Sequence, residues 1–481
     1  MEWFFAPDYT LARLVLERGL AFLYALGFLN ALHQFPALLG DRGLLPAPDF
    51  LREVTWREAP SLFHLRYSDT LLRLVAGTGL VVALALLAGL PQRAPLPVTM
   101  LAWLVLWVLY LSIVNIGQRF YAFGWESLLL EAGFLAVFLG NAETPPALPV
   151  LLLFRWLAFR VEFGAGLIKL RGDRCWRDRT CMYYHHETQP MPNPLSWYFH
   201  HLPACFHRFE VTGNFVAQLV APFALFLPQP IAGVGALVMI GTQAYLLVSG
   251  NYAWLNLITI VIAFSGMPDS FFAVLLPIPA TAAAAALPGW FAGCILLVTT
   301  FVLALSYWPV RNLLAPGQLM NYAFNRYHLV NTYGAFGSVT RVRHEVVIEG
   351  SAAEEPAAGA DWQEYEFAGK PGSPRRRPPQ VAPYHLRLDW LMWFAALRSG
   401  FAEDWFAPLL VKLLEGDRAV LRLLRRNPFP DRPPVWVRAR YYRYRFSSRA
   451  ERRDTGAWWV RELVGEYLRP ARLAGPGAGR A

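Results

Sequence analysis

Charged side chains interrupt one of the most apolar stretches of the chain. The run 148–170 carries Arg155, Arg160, Glu162 and Lys169. A charge in membrane hydrocarbon costs at least about 2.5 kcal/mol, so each of these groups must have a partner. Arg155, Glu162 and Lys169 recur every seventh residue, and a helix presents such a series on nearly one face. Two interpretations stay open: a structural ion network that fixes helix register, or a polar cavity that holds a substrate or a catalytic base.

Position along the helix predicts the partners of these charges. Glu162 can neutralise one of its two neighbours on the same face, whereas Arg160 points elsewhere and could meet Glu126 or Glu131 of the preceding apolar run. At 1.5 Å per residue, Glu162 and Lys169 are about 10 Å apart along the helix axis, so a direct contact needs extended side chains or a bridging water. We predict that these two groups are coupled and face a polar cavity. The alternative is that Glu162 bonds Arg155 or a neighbouring helix, while Lys169 reaches the membrane surface.

Histidines and an acid lie close together in the polar loop that follows, residues 171–212. This loop contains His185, His186 and Glu187, and a second histidine pair at 200–201. Metal binding is conceivable, but adjacent histidines do not form the i, i+4 helical pair of a zinc protease, and no complete ligand set can be assembled. Packing of Tyr, Trp and His side chains at headgroup depth is the simpler explanation. We therefore predict no metal site and no cofactor.

Three of the four cysteines, Cys175, Cys181 and Cys205, lie in the same polar loop. Two of them can form a disulfide if the loop lies outside the cytoplasm, and the sequence does not determine which two. Cys294 lies in an apolar run and is predicted to be a free thiol.

The surrounding sequence predicts a membrane protein. The chain has 481 residues, of which 55% are hydrophobic and 16% charged, which is too apolar for a soluble enzyme of this size. About 20 apolar residues span a bilayer, and we predict a polytopic α-helical bundle of about nine spans. The apolar runs lie at 15–32, 70–90, 97–116, 126–140, 147–170, 213–229, 231–249, 252–266 and 288–306.

The apolar pattern ends near Pro309, so we predict a membrane domain over 1–309 and a soluble, strand-containing α+β domain over 310–470. Alternating apolar residues in 340–349 are typical of a half-buried strand. Further strands are predicted at 361–367 and 435–446, and helices at 389–397, 405–414 and 418–425. Gly, Ala and Arg dominate 471–481, which is predicted to be a disordered tail.

The formal charge of +10 does not indicate nucleic-acid binding. Most of the excess lies after residue 370, including Arg375, Arg376 and Arg377. On a domain tethered to a membrane, these groups are better placed to meet anionic lipid headgroups. Membrane lipids are therefore predicted partners, and nucleic acid is not.

Long motifs spread over most of the chain resemble those of the lipase maturation factor family. They include GWESLLLEAGF at 124–134, GLIKL at 166–170, YHHETQPMPNP at 184–194, NTYGAFG at 331–337, RLDWLMWF at 387–394 and NPFP at 427–430. The resemblance implies a membrane protein of the endoplasmic reticulum that assists the folding and assembly of secreted proteins such as lipases, with its soluble domain in the lumen. The Arg-, Ala-, Pro- and Gly-rich composition indicates a bacterial-type member, for which the inner membrane is the expected location and the client is open.

A second, local resemblance concerns FGAGLIKL at 163–170, followed by Trp176, which looks like a helix end of the vitamin K-dependent carboxylase-like membrane domain. It implies that Lys169 acts as a base, because a lysine in a low-dielectric site has a lowered pKa. Lys169, His185, His186 and Glu187 are thus candidate catalytic residues of an alternative membrane enzyme. A chaperone-like maturation factor without enzymatic activity remains the favoured function.

Overall fold

The computed structural model describes residues 2–273, 287–320, 325–355 and 361–473. The N-terminal part of these ranges is helical. Its α-helices are α1 (Thr10–Leu39), α2 (Ala47–Glu53), α3 (Asp69–Ala88), α4 (Leu96–Asn115), α5 (Gln118–Tyr121), α6 (Gly124–Ala136), α7 (Leu148–Arg171), α8 (Arg174–Arg177), α9 (Met182–Thr188), α10 (Ser196–His200), α11 (Ala204–Phe215), α12 (Ala221–Ala224), α13 (Ile231–Ser249), α14 (Leu255–Ala263), α15 (Asp269–Ala273), α16 (Gly289–Leu305) and α17 (Tyr307–Leu314).

Five helical stretches in the described part of the chain are long and apolar enough to cross a membrane. They are Pro7–Leu39, Asp69–Ala88, Leu96–Asn115, Ile231–Ser249 and Gly289–Leu314. Large apolar side chains lie exposed on the outside of these helices, among them Leu74, Val81 and Leu297. Such a surface is typical of helices that face lipid. The predicted count of about nine spans is not confirmed by these criteria.

The remaining predicted spans are shorter, broken or charged. Helix α6 has 13 residues, and α14 with the 3-10 turn that follows covers only Leu255–Gly266. The run 213–229 is divided by a π-helical turn at Val216–Val220. Helix α7 has 24 residues but lies inside the bundle, packed against α6, α14 and α16. Its charges are therefore directed into protein, as is usual for ionisable groups at membrane depth.

The segment predicted as a polar loop, 171–212, is mostly helical. It folds into α8, α9, α10 and most of α11. Side chains bind the first amides of two of these short helices. Asp173, the N-cap of α8, accepts a hydrogen bond from the Cys175 amide at 3.0 Å, and Asn193, in the turn before α10, accepts one from the Ser196 amide at 3.0 Å. Such bonds satisfy amides that a short helix leaves unpaired, which is why this polar sequence forms ordered turns.

The C-terminal part is a mixed domain, as predicted. Its α-helices are α18 (Arg387–Leu397), α19 (Phe406–Leu414), α20 (Arg418–Leu421) and α21 (Arg449–Thr455). Its strands are β1 (Arg343–Ser351), β2 (Gln363–Glu364), β3 (Glu366–Phe367), β4 (Leu424–Arg426), β5 (Trp436–Phe446) and β6 (Trp459–Ala471). Antiparallel pairing gives one sheet in the order β2-β1-β5-β6 and a second, two-stranded sheet of β3 and β4.

Two local predictions in this domain are wrong. The helix predicted over 418–425 ends at Leu421, because the chain turns into β4 to pair with β3. The strand predicted at 361–367 is interrupted at Tyr365, and its two halves join different sheets. Both departures come from pairing with distant segments, which local residue patterns do not report. The predicted disordered tail lies outside the described residues from 474 onward.

Strand β1 is buried on both faces, although its sequence predicted a half-buried strand. One face packs against α18. On the other face, Val347 joins an apolar cluster with Trp197 of α10 and Tyr444 of β5. The C-terminal domain therefore lies directly on the helical part of the chain, and this docking covers a strand face that would otherwise be solvated.

The backbone of 331–337 crosses the C-terminal half of α7. A Cβ atom at Gly164 would overlap the Tyr333 carbonyl oxygen, and one at Gly172 would overlap the Gly337 carbonyl oxygen. These two glycines allow main chain from the C-terminal domain to lie against α7, which a side chain at either position would prevent.

Candidate functional site

A chain of buried polar side chains links α7 to α13. Lys169 Nζ donates to Gln218 Oε1 at 2.8 Å and to Asn214 Oδ1 at 3.2 Å. The amide of Gln218 donates to Glu162 at 3.0 Å, and Gln243 of α13 donates to the other oxygen of the same carboxylate at 2.7 Å. A glutamine side chain therefore connects Lys169 to Glu162. Gln218 lies in the π-helical turn Val216–Val220, a local distortion often found at functional positions.

Arg155 lies at the other end of α7 from this network. It donates to the backbone carbonyls of Ser265 at 3.0 Å and Leu225 at 3.1 Å. Glu162 thus bonds a neighbouring helix through Gln243. Lys169 is 5% exposed and is held in the interior, so it does not extend to the membrane surface. The shared seven-residue spacing of the three charges does not bring them into one ion network.

Arg160 pairs with Glu131, one of its two predicted partners. The same carboxylate accepts hydrogen bonds from the Asn331 amide at 3.0 Å and the Tyr333 hydroxyl at 2.8 Å. Arg160 also donates to the Asn331 carbonyl at 2.7 Å. The buried pair between α6 and α7 therefore anchors the segment that enters the C-terminal domain.

Glu126, five residues before Glu131 on α6, anchors a second segment of the C-terminal domain. Its carboxylate lies 2.7 Å from Arg387 at the start of α18, and both side chains are fully buried. Arg387 also donates to Asn30 Oδ1 at 2.7 Å and to the Phe120 carbonyl at 2.8 Å, and it lies 3.4 Å from the centre of the Tyr121 ring. Glu126 and Glu131, predicted as an intramembrane network, thus form two buried anchors between the domains.

Next to the second anchor lies His385, whose backbone carbonyl accepts hydrogen bonds from Asn30 and Gln34 of α1, both at 2.6 Å. Its ring packs edge-on against Trp125, with the centroids 5.1 Å apart. Burial lowers the pKa of His385 to about 4, with a further decrease from the nearby Arg387 guanidinium. The ring is therefore neutral at physiological pH.

A third connection involves the sheet. The Arg343 guanidinium, 2% exposed, donates to the carbonyls of Glu187 at 3.1 Å and Pro190 at 3.0 Å in the helical segment. On the other side it bonds Glu345 at 2.8 Å, which also lies 2.7 Å from Lys370 Nζ. Arg343 thus binds backbone carbonyls of the helical segment, and Glu345 of the same strand balances its charge.

The predicted cluster of His185, His186 and Glu187 does not form a single site. Consecutive residues of a helix point about 100° apart, and α9 directs these three side chains to different partners. The His185 ring nitrogen lies 2.9 Å from the Tyr252 hydroxyl, which in turn donates to Gln189 at 2.7 Å. Burial lowers the pKa of His185 to about 3, so this ring is a neutral part of the core.

Glu187 closes the space between α9 and the end of β5. Its carboxylate accepts a hydrogen bond from the Phe446 amide at 2.6 Å, and His200 Nε2 lies 3.7 Å away. Burial raises the pKa of Glu187 to about 7, and the amide bond and nearby arginines oppose that change. The catalytic roles predicted for Lys169, His185, His186 and Glu187 stay predictions.

His186 faces a group that sequence analysis did not select. Its Nε2 lies 3.0 Å from Glu210, and His207 Nδ1 lies 2.6 Å from the other oxygen of that carboxylate. Glu210 also accepts a hydrogen bond from the Tyr245 hydroxyl. Ligand atoms of the two histidines and the glutamate lie within 4.8 Å of one another, so they could hold a metal ion.

The cysteines of this segment are also located. A disulfide joins Cys175 to Cys181, and the Cys205 thiol is free and exposed. The disulfide lies beneath the C-terminal domain, where Trp176 donates to the Phe336 carbonyl at 2.9 Å. Cys294 is free and partly buried.

Sequence reasoning missed Arg343, Arg387, His207 and Glu210. The first two have partners in the helical part of the chain, more than a hundred residues away, and no local pattern reveals them. A signal was available for the other two, because a histidine and a glutamate three residues apart lie on one face of a helix.

Fold and geometry together define an integral membrane protein whose helical domain carries a tightly docked, strand-containing C-terminal domain. Comparison with known families gives two consecutive matches: the lipase maturation factor transmembrane domain over residues 11–274 and the lipase maturation factor C-terminal domain over residues 329–469. The chain belongs to the lipase maturation factor family.

Individual relatives agree over nearly the full length. Lipase maturation factor 1 of Bos taurus is 44% identical, with 97% of this chain and 90% of the relative aligned. The Homo sapiens protein of that name is 43% identical, with 97% and 88% aligned, and human lipase maturation factor 2 is 30% identical, with 97% and 83% aligned. No solved structure matches the chain significantly. These matches give no support to the carboxylase resemblance or to a bacterial origin.

Proposed function

We propose that this protein is a membrane-bound maturation factor that assists secreted lipases to reach their active form. The observation that carries the proposal is the similarity to proteins named lipase maturation factor 1 over 97% of the chain, including both domains. The three buried connections between the domains support a role in which membrane and C-terminal parts act as one unit.

A complementation assay tests this function. The chain is expressed in cultured animal cells whose own lipase maturation factor 1 gene has been inactivated, together with a secreted lipase, and lipase activity in the medium is measured. We expect activity to be restored. The human relative, expressed at the same membrane level, is the positive control. Restoration by the human protein but not by this chain would contradict the proposal.

We also propose nine passes through the bundle, with the N-terminus and the C-terminal domain on opposite sides. Contacts between turns support this count. On one side the turn after α3 meets the loop after α6, where the Ala142 amide donates to the Gln92 carbonyl at 2.8 Å. The loop after α12 lies on the same side as the start of α1, since Gln229 donates a hydrogen bond to the hydroxyl of Tyr9, the residue before α1, at 2.8 Å.

The opposite face of the bundle meets the C-terminal domain. This face is formed by the ends of α1, α4, α7 and α13 and by the starts of α6 and α14. Asn30, Asn115, Glu126 and Asn251 each contact its residues. A path through α1, α3, α4, α6, α7, α11–α12, α13, α14 and α16 alternates between the two faces. Several of these passes are too short or too polar to contact lipid alone and would be shielded by the longer helices.

The disulfide supports an extracytoplasmic position for the face that carries the C-terminal domain, because such bonds persist in oxidising compartments. That compartment is the lumen if the membrane is that of the endoplasmic reticulum, or the periplasm if it is a bacterial inner membrane. Alkaline phosphatase fused after residue 470 should be active in a bacterial host, and a fluorescent cytoplasmic reporter at the same point should not fluoresce. The reverse pattern would refute the orientation.

A thiol assay gives an independent test. In the intact membrane, an impermeant maleimide should label the exposed Cys205 directly, whereas the buried Cys175 and Cys181 should be labelled only after denaturation and reduction. The single variant Cys205→Ser serves as the control for background labelling. Direct labelling of all three thiols, without a reductant, would contradict an oxidising location.

A further inference from the structure

The helical segment beneath the C-terminal domain contains a compact set of metal-ligating side chains. His207 and Glu210 lie three residues apart on one face of α11, and His186 reaches them from α9. The side chains of all three are at most 4% exposed. Two helices therefore bring three ligand groups to one buried point.

We propose that His186, His207 and Glu210 bind a divalent transition-metal ion of the zinc class. Two imidazole nitrogens and a carboxylate oxygen are a ligand set that Zn²⁺ uses, with ligand bonds of about 2.0–2.2 Å. Two atoms bound to one such ion lie at most about twice that length apart. The ligand atoms of these three side chains lie within 4.8 Å of one another, which is close to that limit.

Groups around the ligands match the outer shell that metal sites require. A metal-bound histidine usually donates its second ring nitrogen to a carbonyl, and His207 Nε2 lies 3.4 Å from the His200 carbonyl oxygen. A metal-bound carboxylate is usually hydrogen-bonded as well, and Glu210 accepts from the Tyr245 hydroxyl of α13. These contacts orient both ligand groups independently of the ion.

A further histidine lies beside the cluster. The His200 ring is near His186 and His207, and its Nδ1 is buried without a hydrogen-bond partner among the described residues. Three protein ligands leave one coordination position of a tetrahedral ion open, for a water molecule or an added side chain. Binding would tie α9, α11 and, through Tyr245, α13 together under the docked domain.

The alternative to a metal site is a hydrogen-bonded cluster in which each imidazole bonds Glu210. Measuring the metal content of the protein distinguishes a metal site from such a cluster. The full-length protein is purified in detergent with a tag free of histidine and without immobilised metal, and bound metal is measured by mass spectrometry. We expect about one Zn²⁺ per chain, as-isolated or after incubation with ZnCl₂. His207→Gln and Glu210→Gln should lose it, whereas His344→Gln on β1 should retain it.

Substitution of a buried ligand can also unfold the protein, so a milder pair is included. Tyr245→Phe removes only the hydroxyl that bonds Glu210, and we expect roughly 10–100-fold weaker Zn²⁺ binding in competition with a chromogenic chelator. Tyr252→Phe removes a comparable buried hydroxyl from His185 and should leave zinc affinity unchanged. Wild-type protein that neither contains nor binds Zn²⁺, or equal affinity in both tyrosine variants, would overturn the proposal.

Discussion

Arg387 provides the strongest test of how the two domains are held together. The substitution Arg387→Met keeps the length of the side chain but removes the charge that lies 2.7 Å from Glu126. Both partners are fully buried, so the variant leaves a carboxylate without its counter-ion. Breaking a buried pair from one side costs about 3–5 kcal/mol. Losing the bonds to Asn30 and Phe120 adds to this cost.

The measurement is equilibrium unfolding in mixed micelles, monitored by tryptophan fluorescence and by limited proteolysis of the connection between α17 and β1. We expect Arg387→Met to unfold or undock at distinctly lower denaturant concentration. Arg119→Ala is the matched control, because Arg119 also joins the two domains, pairing with Asp404, but both side chains are more than 40% exposed. An exposed pair of this kind contributes about 0–1 kcal/mol.

A double-mutant cycle separates the ion pair from the rest of the site. In Glu126→Gln/Arg387→Met neither buried charge remains, and we expect the double variant to be less destabilised than the sum of the two single variants. Additive losses, or a cost for Arg387→Met no larger than that for Arg119→Ala, would show that this buried pair does not hold the C-terminal domain in place.

Three further predictions concern other parts of the molecule. His385 has a pKa lowered to about 4, so its contribution to stability is present above the unfolded value of 6.5 and is lost as pH falls through 4. The melting temperatures of wild type and His385→Phe should therefore converge over this pH range, and the difference between their free energies of unfolding should change by up to about 3 kcal/mol. Parallel pH profiles of the two proteins would contradict this prediction. Cys175→Ser opens the disulfide to Cys181 and should cost about 2 kcal/mol for so short a loop, an effect that dithiothreitol should reproduce in wild type but not in the variant. Lys169→Met leaves Gln218 without its buried donor and should lower the melting temperature and secreted lipase activity together, whereas lost activity with native melting would indicate a chemical role.

Much of the fold was accessible from the sequence because it depends on local pattern. Apolar runs located the five helices of the described residues that are long enough to cross a membrane, and alternating or helical periodicity located β1, β5, α18 and α19 near their observed bounds. Arg160 was expected to meet Glu126 or Glu131, and it pairs with Glu131. The helix α20 was predicted, but its end at Leu421 and the strand β4 that follows were not, because β4 forms by pairing with β3, a distant segment of the chain.

The candidate site depends on contacts between helices that are distant in sequence. Adjacent residues in sequence, His185, His186 and Glu187, diverge on α9, whereas His186 and Glu210 converge from different helices. Asp389 lies in the first turn of α18, but its carboxylate accepts hydrogen bonds from the amides of Gly369 and Lys370, which lie outside that helix. In each case the partner is set by three-dimensional packing.

The sequence alone determined that the chain enters a membrane and continues into a strand-containing domain, because hydrophobic burial depends on how many residues are apolar and on their spacing along the chain. It also required the charges of α7 to be paired, since hydrocarbon does not solvate them. Only the tertiary structure decided which groups pair. Glu126 and Glu131 take their partners partly from the C-terminal domain, more than a hundred residues away. Electrostatic and hydrogen-bond energies depend on distances of a few ångströms, and those distances exist only after the chain has folded.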